Sequence, residues 1–243
     1  ARVGPGDPQM PEGSRRAFAA GLAATLLVVP AISIAKQRSD VHAERVQAAD
    51  SLRRLAGERL RLGTLDARRQ AMTELEQASL LAPDNHLVWL DLGRLCLERG
   101  ERKRGRDCYE HARRAAPDES RAYAELGAAW TWEWLSSFES SALANAARDL
   151  ERAAELDAGD AATWARLSAL MIARGRPRAA EQAAWLGLEA EPQAWEPMLA
   201  LGCAAWRQSR PVLADSAFAL ARGRAPDEVR RRFASAPWTV DDR

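Results

Sequence analysis

LAPDN at 81–85, AAPDE at 115–119, DAGD at 157–160, AEPQA at 190–194 and RAPDE at 224–228 are five versions of one short string. Aligned on the proline slot they mark Pro83, Pro117, Ala158, Pro192 and Pro226, at intervals of 34, 41, 34 and 34 residues. A recurrence of this length marks a supersecondary unit that is stacked rather than a single helix or strand. Inside the unit, large residues recur at positions 4, 7 and 24 and small ones at positions 8, 20 and 27. Small residues let two antiparallel helices approach closely, large ones fill the space beside them, and a proline at position 32 stops the second helix from running on. A unit of this size cannot bury its own apolar face, so stability requires stacked neighbours.

Residues 86–119 fill these slots with Trp89, Leu92, Gly93, Gly105, Tyr109, Ala112 and Pro117. Residues 161–194 supply Trp164, Leu167, Ser168, Ala180, Ala184, Gly187 and Pro192, and residues 195–228 supply Met198, Leu201, Gly202, Ala214, Phe218, Ala221 and Pro226. Residues 52–85 keep Leu55, Ala71, Leu75, Ala78 and Pro83 but place Arg59 where a small residue belongs, as an atypical terminal repeat does. Residues 120–160 begin with Tyr123, Leu126 and Gly127 and take seven extra residues before Ala146, Leu150 and Ala153. The pattern resembles the tetratricopeptide repeat (TPR) family over residues 52–228. That resemblance implies an all-α, right-handed helical solenoid of five TPR-like repeats, a protein-interaction role, and no enzymatic activity.

Composition excludes several alternatives. The 243 residues include 35 basic and 34 acidic ones, for a net charge of +1, so no global field draws nucleic acid or an anionic bilayer. Cys96, Cys108 and Cys203 are too few for a disulfide framework and form no CxxC pair. Cys96 and Cys108 fall at positions 11 and 23 of one repeat, where they would approach each other across a helix pair. His42, His86 and His111 lie in different elements. No phosphate-binding glycine loop, zinc HExxH string or GxSxG nucleophile elbow is present. No cofactor, metal, small-molecule substrate or nucleic acid is therefore expected.

Residues 1–16, rich in Gly and Pro, read as a flexible tail. Residues 17–35, AFAAGLAATLLVVPAISIA, are 19 uncharged residues between Arg15–Arg16 and Lys36. As a helix they would extend about 28 Å, close to the thickness of a bilayer's hydrocarbon core. The expectation is one N-terminal transmembrane helix, an uncleaved anchor, in a bacterial inner membrane. The repeats then lie in the periplasm, with residues 36–51 a helical linker and residues 229–243 a tail. A second reading stays open: Ser14-Arg15-Arg16-Ala17-Phe18 resembles a twin-arginine export signal, and Ser33-Ile34-Ala35 a cleavage site, which would leave a soluble periplasmic adaptor.

The family resemblance implies binding through the face that positions 2, 5, 9, 12 and 13 of each first helix form. Those slots hold Leu90, Arg94 and Leu97; Arg121 and Trp132; Ile172; and Leu199, Trp206 and Arg207. They make a mostly apolar surface, and the Lys/Asn/Arg clamp by which chaperone-binding members hold a C-terminal carboxylate is absent. Trp130, Trp134 and Phe138 recur at four-residue spacing at the insertion, and the first helix of that repeat is expected to run long. These aromatics either form an interface or fold back into their own core. Trp238, in a proline-containing stretch, is a further candidate anchor. The expected partners are protein subunits of a membrane complex, of energy-transducing or secretion type.

Overall fold

The computed structural model describes the backbone of residues 12–234 and the side chains of residues 36–231. The backbone forms α1 (Glu12–Arg61), α2 (Leu65–Leu81), α3 (His86–Glu98), α4 (Arg102–Ala115), α5 (Ser120–Ser137) and α6 (Ser140–Leu156). It continues through α7 (Ala161–Ala173), α8 (Pro177–Ala190), α9 (Trp195–Arg207), α10 (Pro211–Arg224) and α11 (Asp227–Ala234). No strand occurs among the described residues. Each repeat is an antiparallel helix pair, and each first helix also packs on the first helix of the next pair. The result is an all-α solenoid. Two expected boundaries shift: the tail assigned to 1–16 gives way to helix at Glu12, and the tail assigned to 229–243 is preceded by α11, which runs to Ala234. The proposed span at 17–35 is helical backbone within α1, but its side chains lie outside those described. Among the described residues, no helix is long and apolar enough to cross a membrane.

The repeated string ends each second helix as its chemistry requires. Helices α2, α4 and α8 stop two residues before Pro83, Pro117 and Pro192, and α10 stops before Ala225-Pro226. The next helix starts on a side-chain cap where the residue allows it. Asn85 accepts the amide of Leu87 at 3.1 Å and Asp160 that of Ala162 at 3.0 Å. The position-4 tryptophans lock this turn in register: Trp89 Nε1 donates to the Pro83 carbonyl at 2.8 Å, and Trp164 Nε1 to the Ala158 carbonyl at 2.9 Å.

Within each pair, position 8 and position 24 are matched in size. A Cβ on Gly93 would lie 2.6 Å from the Tyr109 ring, one on Gly202 2.5 Å from the Phe218 ring, and one on Gly127 2.7 Å from Leu150. Where position 24 shrinks to Ala184, position 8 grows to Ser168, whose hydroxyl donates to the Ala180 carbonyl at 2.8 Å. The first pair departs from this rule. Arg59 stands at position 8 and is neutralised by Glu74, with Gln70 as a second acceptor.

The insertion lengthens helices rather than adding a loop. Helix α5 has 18 residues against 13 in α3, α7 and α9; α6 has 17 against 14 in α4, α8 and α10. Regular turns between paired helices place a left-handed residue at one fixed position, Gly100 (φ 80°), Gly175 (φ 70°) and Ser209 (φ 58°). Serine bears a Cβ penalty there that glycine does not.

Two substitutions should therefore have opposite signs. Gly202→Ala forces a methyl into the Phe218 ring and should cost about 1–3 kcal/mol, whereas Ser209→Gly should raise stability by about 1 kcal/mol. Urea titration followed by helix ellipticity measures both; equal midpoints would contradict this packing.

Candidate functional site

The candidate face is carried by the first helices, α3, α5, α7 and α9, with α7 packed between α5 and α9. Leu90 must be removed from it. It is 3% exposed in a core cluster with Tyr109, Ala122 and Leu126, because position 5 points into the contact between successive repeats. Leu97 is half-buried and lies over Gly105. Arg94 is exposed and shared between Asp91 at 3.7 Å and Glu98 at 3.6 Å. Arg121 and Arg207 are exposed, and Ile172 and Leu199 are half-buried, Ile172 against the core of the third and fourth repeats. Trp132 and Trp206 are each 61% exposed, and the α7 residues Ala169 and Ala173 are exposed between their helices. Trp238 lies outside the described residues.

The insertion's aromatics divide between core and surface. Trp130 is half-buried beneath the Arg106 guanidinium, 4.6 Å from its ring centroid, and Arg106 also pairs with Glu133 at 2.7 Å. That pins α5 to α4 of the preceding repeat. Trp132 follows two residues later, about 200° around the helix, and faces solvent. Trp134 meets Phe138 edge to face at 6.1 Å. Phe138 ends α5 in the left-handed region at φ 56° and is 75% exposed. A bulky side chain at positive φ is strained, so an apolar ring in water is held where glycine would relieve the backbone. Leu135 beside it is half exposed. Spacing alone indicated the aromatic cluster, but the strain at Phe138 has no sequence signature.

Other predicted positions carry less chemistry. Cys96 and Cys108 meet across α3 and α4 as expected. The hydrogen bond from Cys108 lowers the Cys96 thiol, with Arg104 assisting, while the same contact and burial push Cys108 up. Burial likewise raises Cys203. His42 lies 3.7 Å from Asp84, His86 lies 3.8 Å from Glu119, and His111 stacks on Trp89 at 4.5 Å. No group of three or more His, Cys, Asp or Glu residues that could hold a metal ion occurs among the described residues. Sequence reasoning missed the exposed Trp185 and Leu186 on α8, which occupy second-helix slots outside the family's binding positions.

No protein-family model and no curated protein matches the sequence. Solved structures do match. TTC0263, a thermophilic TPR protein of Thermus thermophilus, superposes with TM-score 0.62 at 21% identity, covering 77% of this chain and 98% of that one. A crystal structure of MamA gives 0.58 at 16% identity, covering 78% and 97%. YrrB, described as a TPR protein with an unusual peptide-binding site, gives 0.53 at 17% identity, covering 72% and 87%. The fold is that of TPR proteins.

Among the described residues Asp149 is the most buried carboxylate, 1% exposed on α6. Its Oδ1 accepts from Arg148 at 3.2 Å, while Oδ2 has no partner. Burial raises its pKa above 3.8 against the favourable Arg148 and Arg113 charges, with Glu110 adding to the rise. Ionisation thus costs the folded state, and stability falls as pH rises through the raised value. Asp149→Asn should melt higher than the parent at neutral pH, and the gap should close on acidification towards 3.8. A gap that widens in acid would contradict this assignment.

Proposed function

We propose that this chain is a non-catalytic TPR scaffold that captures a segment of a protein partner on the face bearing Trp132 and Trp206. The observation that carries the proposal is the pairing of two 61% exposed tryptophans with an uncharged floor of small α7 residues between their helices. On docking, each indole removes roughly 100 Å² of apolar surface from water, about 2.5 kcal/mol before ordering costs. Leu199, Ile172 and the Phe138 ring extend the apolar contact, and Arg121 and Arg207 supply a polar rim. The TPR fold shared with YrrB supports a peptide or protein ligand.

Residues 17–35 support the finer part of the proposal: the scaffold is an accessory or assembly subunit, anchored to a bacterial inner membrane and docked on a larger membrane complex. Tethering raises the local concentration of membrane partners, so modest interface affinity suffices. The Ser14–Phe18 string favours a second version, a soluble periplasmic adaptor exported by the twin-arginine route. The intact mass of native protein from the membrane fraction, read together with co-purifying subunits, separates them. A mass that retains residues 17–35 supports the anchor; a mass that begins after residue 35, in the soluble exported fraction, supports the adaptor.

Replacing both Trp132 and Trp206 with alanine should weaken partner retention about ten- to hundred-fold while helix content is unchanged. Phe138→Gly separates binding from folding, because it removes the exposed ring and relieves positive φ together. It should lower retention with no loss of melting temperature, and undiminished co-purification of both variants would refute the assigned face.

A further inference from the structure

A cavity of about 370 Å³ lies where α1, α2 and α3 meet, in the first two repeats. Its apolar floor includes Ala56, Leu60 and Leu75. Its charged lining consists of Arg53, Arg54, Arg61 and Arg94 against Glu58 and Asp91, an excess of two positive charges in a chain whose net charge is +1. Arg53 and Arg94 share Asp91, at 3.3 and 3.7 Å, and Arg94 also reaches Glu98 at 3.6 Å. The Arg53 Nε is buried without a hydrogen-bond partner. Arg54 donates only to the Asp50 carbonyl, and neither Arg54 nor Arg61 forms an ion pair among the described residues. Asp91 is thus committed to Arg53 and Arg94, while Glu58, one turn from both Arg54 and Arg61 on α1, forms no ion pair among the described residues, so the lining keeps its excess of two positive charges and one buried N–H without a hydrogen-bond partner. Guanidinium groups in this state select carboxylates by paired, charge-assisted hydrogen bonds.

Resting on the function proposed above, we propose that this cavity binds an acidic stretch of the partner, whose adjoining apolar residues lie on the Trp132–Trp206 face. Helices α1, α3, α5, α7 and α9 are successive neighbours, and a partner segment that runs across them meets basic residues at one end and apolar ones at the other. Packed helices sit about 10 Å apart. From the cavity, Trp132 on α5 is then about one step away and Trp206 on α9 about three. An extended chain at roughly 3.3 Å per residue places its first apolar anchor about three residues beyond the carboxylates and its second about nine. Two outward-facing arginines without ion pairs set the charge preference, and the tryptophans set the grip.

The test uses the full chain and two labelled synthetic peptides, read by fluorescence anisotropy. Each peptide carries four Glu, or four Gln, followed by Phe three residues on and Leu nine residues on. The Glu peptide should bind about ten-fold more tightly at low salt, and the preference should shrink as salt rises. The exposed-surface double variant R54E/R61E should abolish that preference while Gln-peptide affinity stays put. W132A should weaken both peptides alike. Equal affinity of the two peptides, or a preference that survives in R54E/R61E, overturns the cavity assignment and leaves the scaffold function standing. Failure of both peptides to bind overturns that function along with it. Competition by a single-stranded oligonucleotide that is lost in R54E/R61E overturns the acidic-peptide assignment in favour of nucleic acid.

Discussion

Everything above local helix formation depends on how closely the two helices of each pair can approach. A glycine at position 8 beneath an aromatic at position 24, as in Gly93 with Tyr109 and Gly202 with Phe218, brings the ring onto the neighbouring backbone. One added methyl at either site would sit at about 2.5 Å from ring carbons, well inside contact distance. The constraint fixes size rather than identity, which is why Ser168 facing Ala184 satisfies it equally, with a hydroxyl bonded to a carbonyl in the space the ring leaves. The pair at the start of the array meets it differently, through the Arg59–Glu74 ion pair. Among the described residues no helix pair precedes it, and it carries the polar character of a terminal unit.

Five repeats, their proline punctuation and the long α5 were legible in the sequence because each rests on spacing: small residues, large residues and a helix stop recur at fixed offsets. What spacing does not carry is direction. Position 5 reads as surface in the sequence, yet Leu90 and Ala124 are 3% exposed, since successive repeats close over that slot. The aromatics of the insertion split by helix phase: Trp130 under Arg106, Trp132 out to solvent. The left-handed Phe138 and the basic cavity were invisible for different reasons. The first is a backbone conformation, and the second joins side chains 33 to 41 positions apart, Arg53 and Arg61 with Arg94, across a repeat that departs from the pattern.

Several features depart from an ideal repeat. Extra length goes into α5 and α6, strain is kept at Phe138, and arginines without ion pairs line the junction of the first two repeats. Regular TPR packing requires none of these. A chain shaped only for stability would place glycine at Phe138 and balance Arg54 and Arg61. The strain at Phe138, which ends the helix that carries Trp132, gives the first-helix face an energetic cost in the free protein that a bound segment can offset. The second-helix face offers a competitor, since Trp185 and Leu186 are also exposed on α8. There, however, Glu181, one turn before Trp185 on α8, holds Gln208 and Arg210, so a polar network within the chain lies next to that indole.

The choice between these two faces is the central claim. Its most direct test is a photo-crosslinking amino acid placed at Trp132 in one sample and at Trp185 in another, irradiated in the intact native cells. The account predicts a discrete crosslinked partner from position 132 and none from position 185. The reverse pattern, or the same partner captured equally from both, would contradict it.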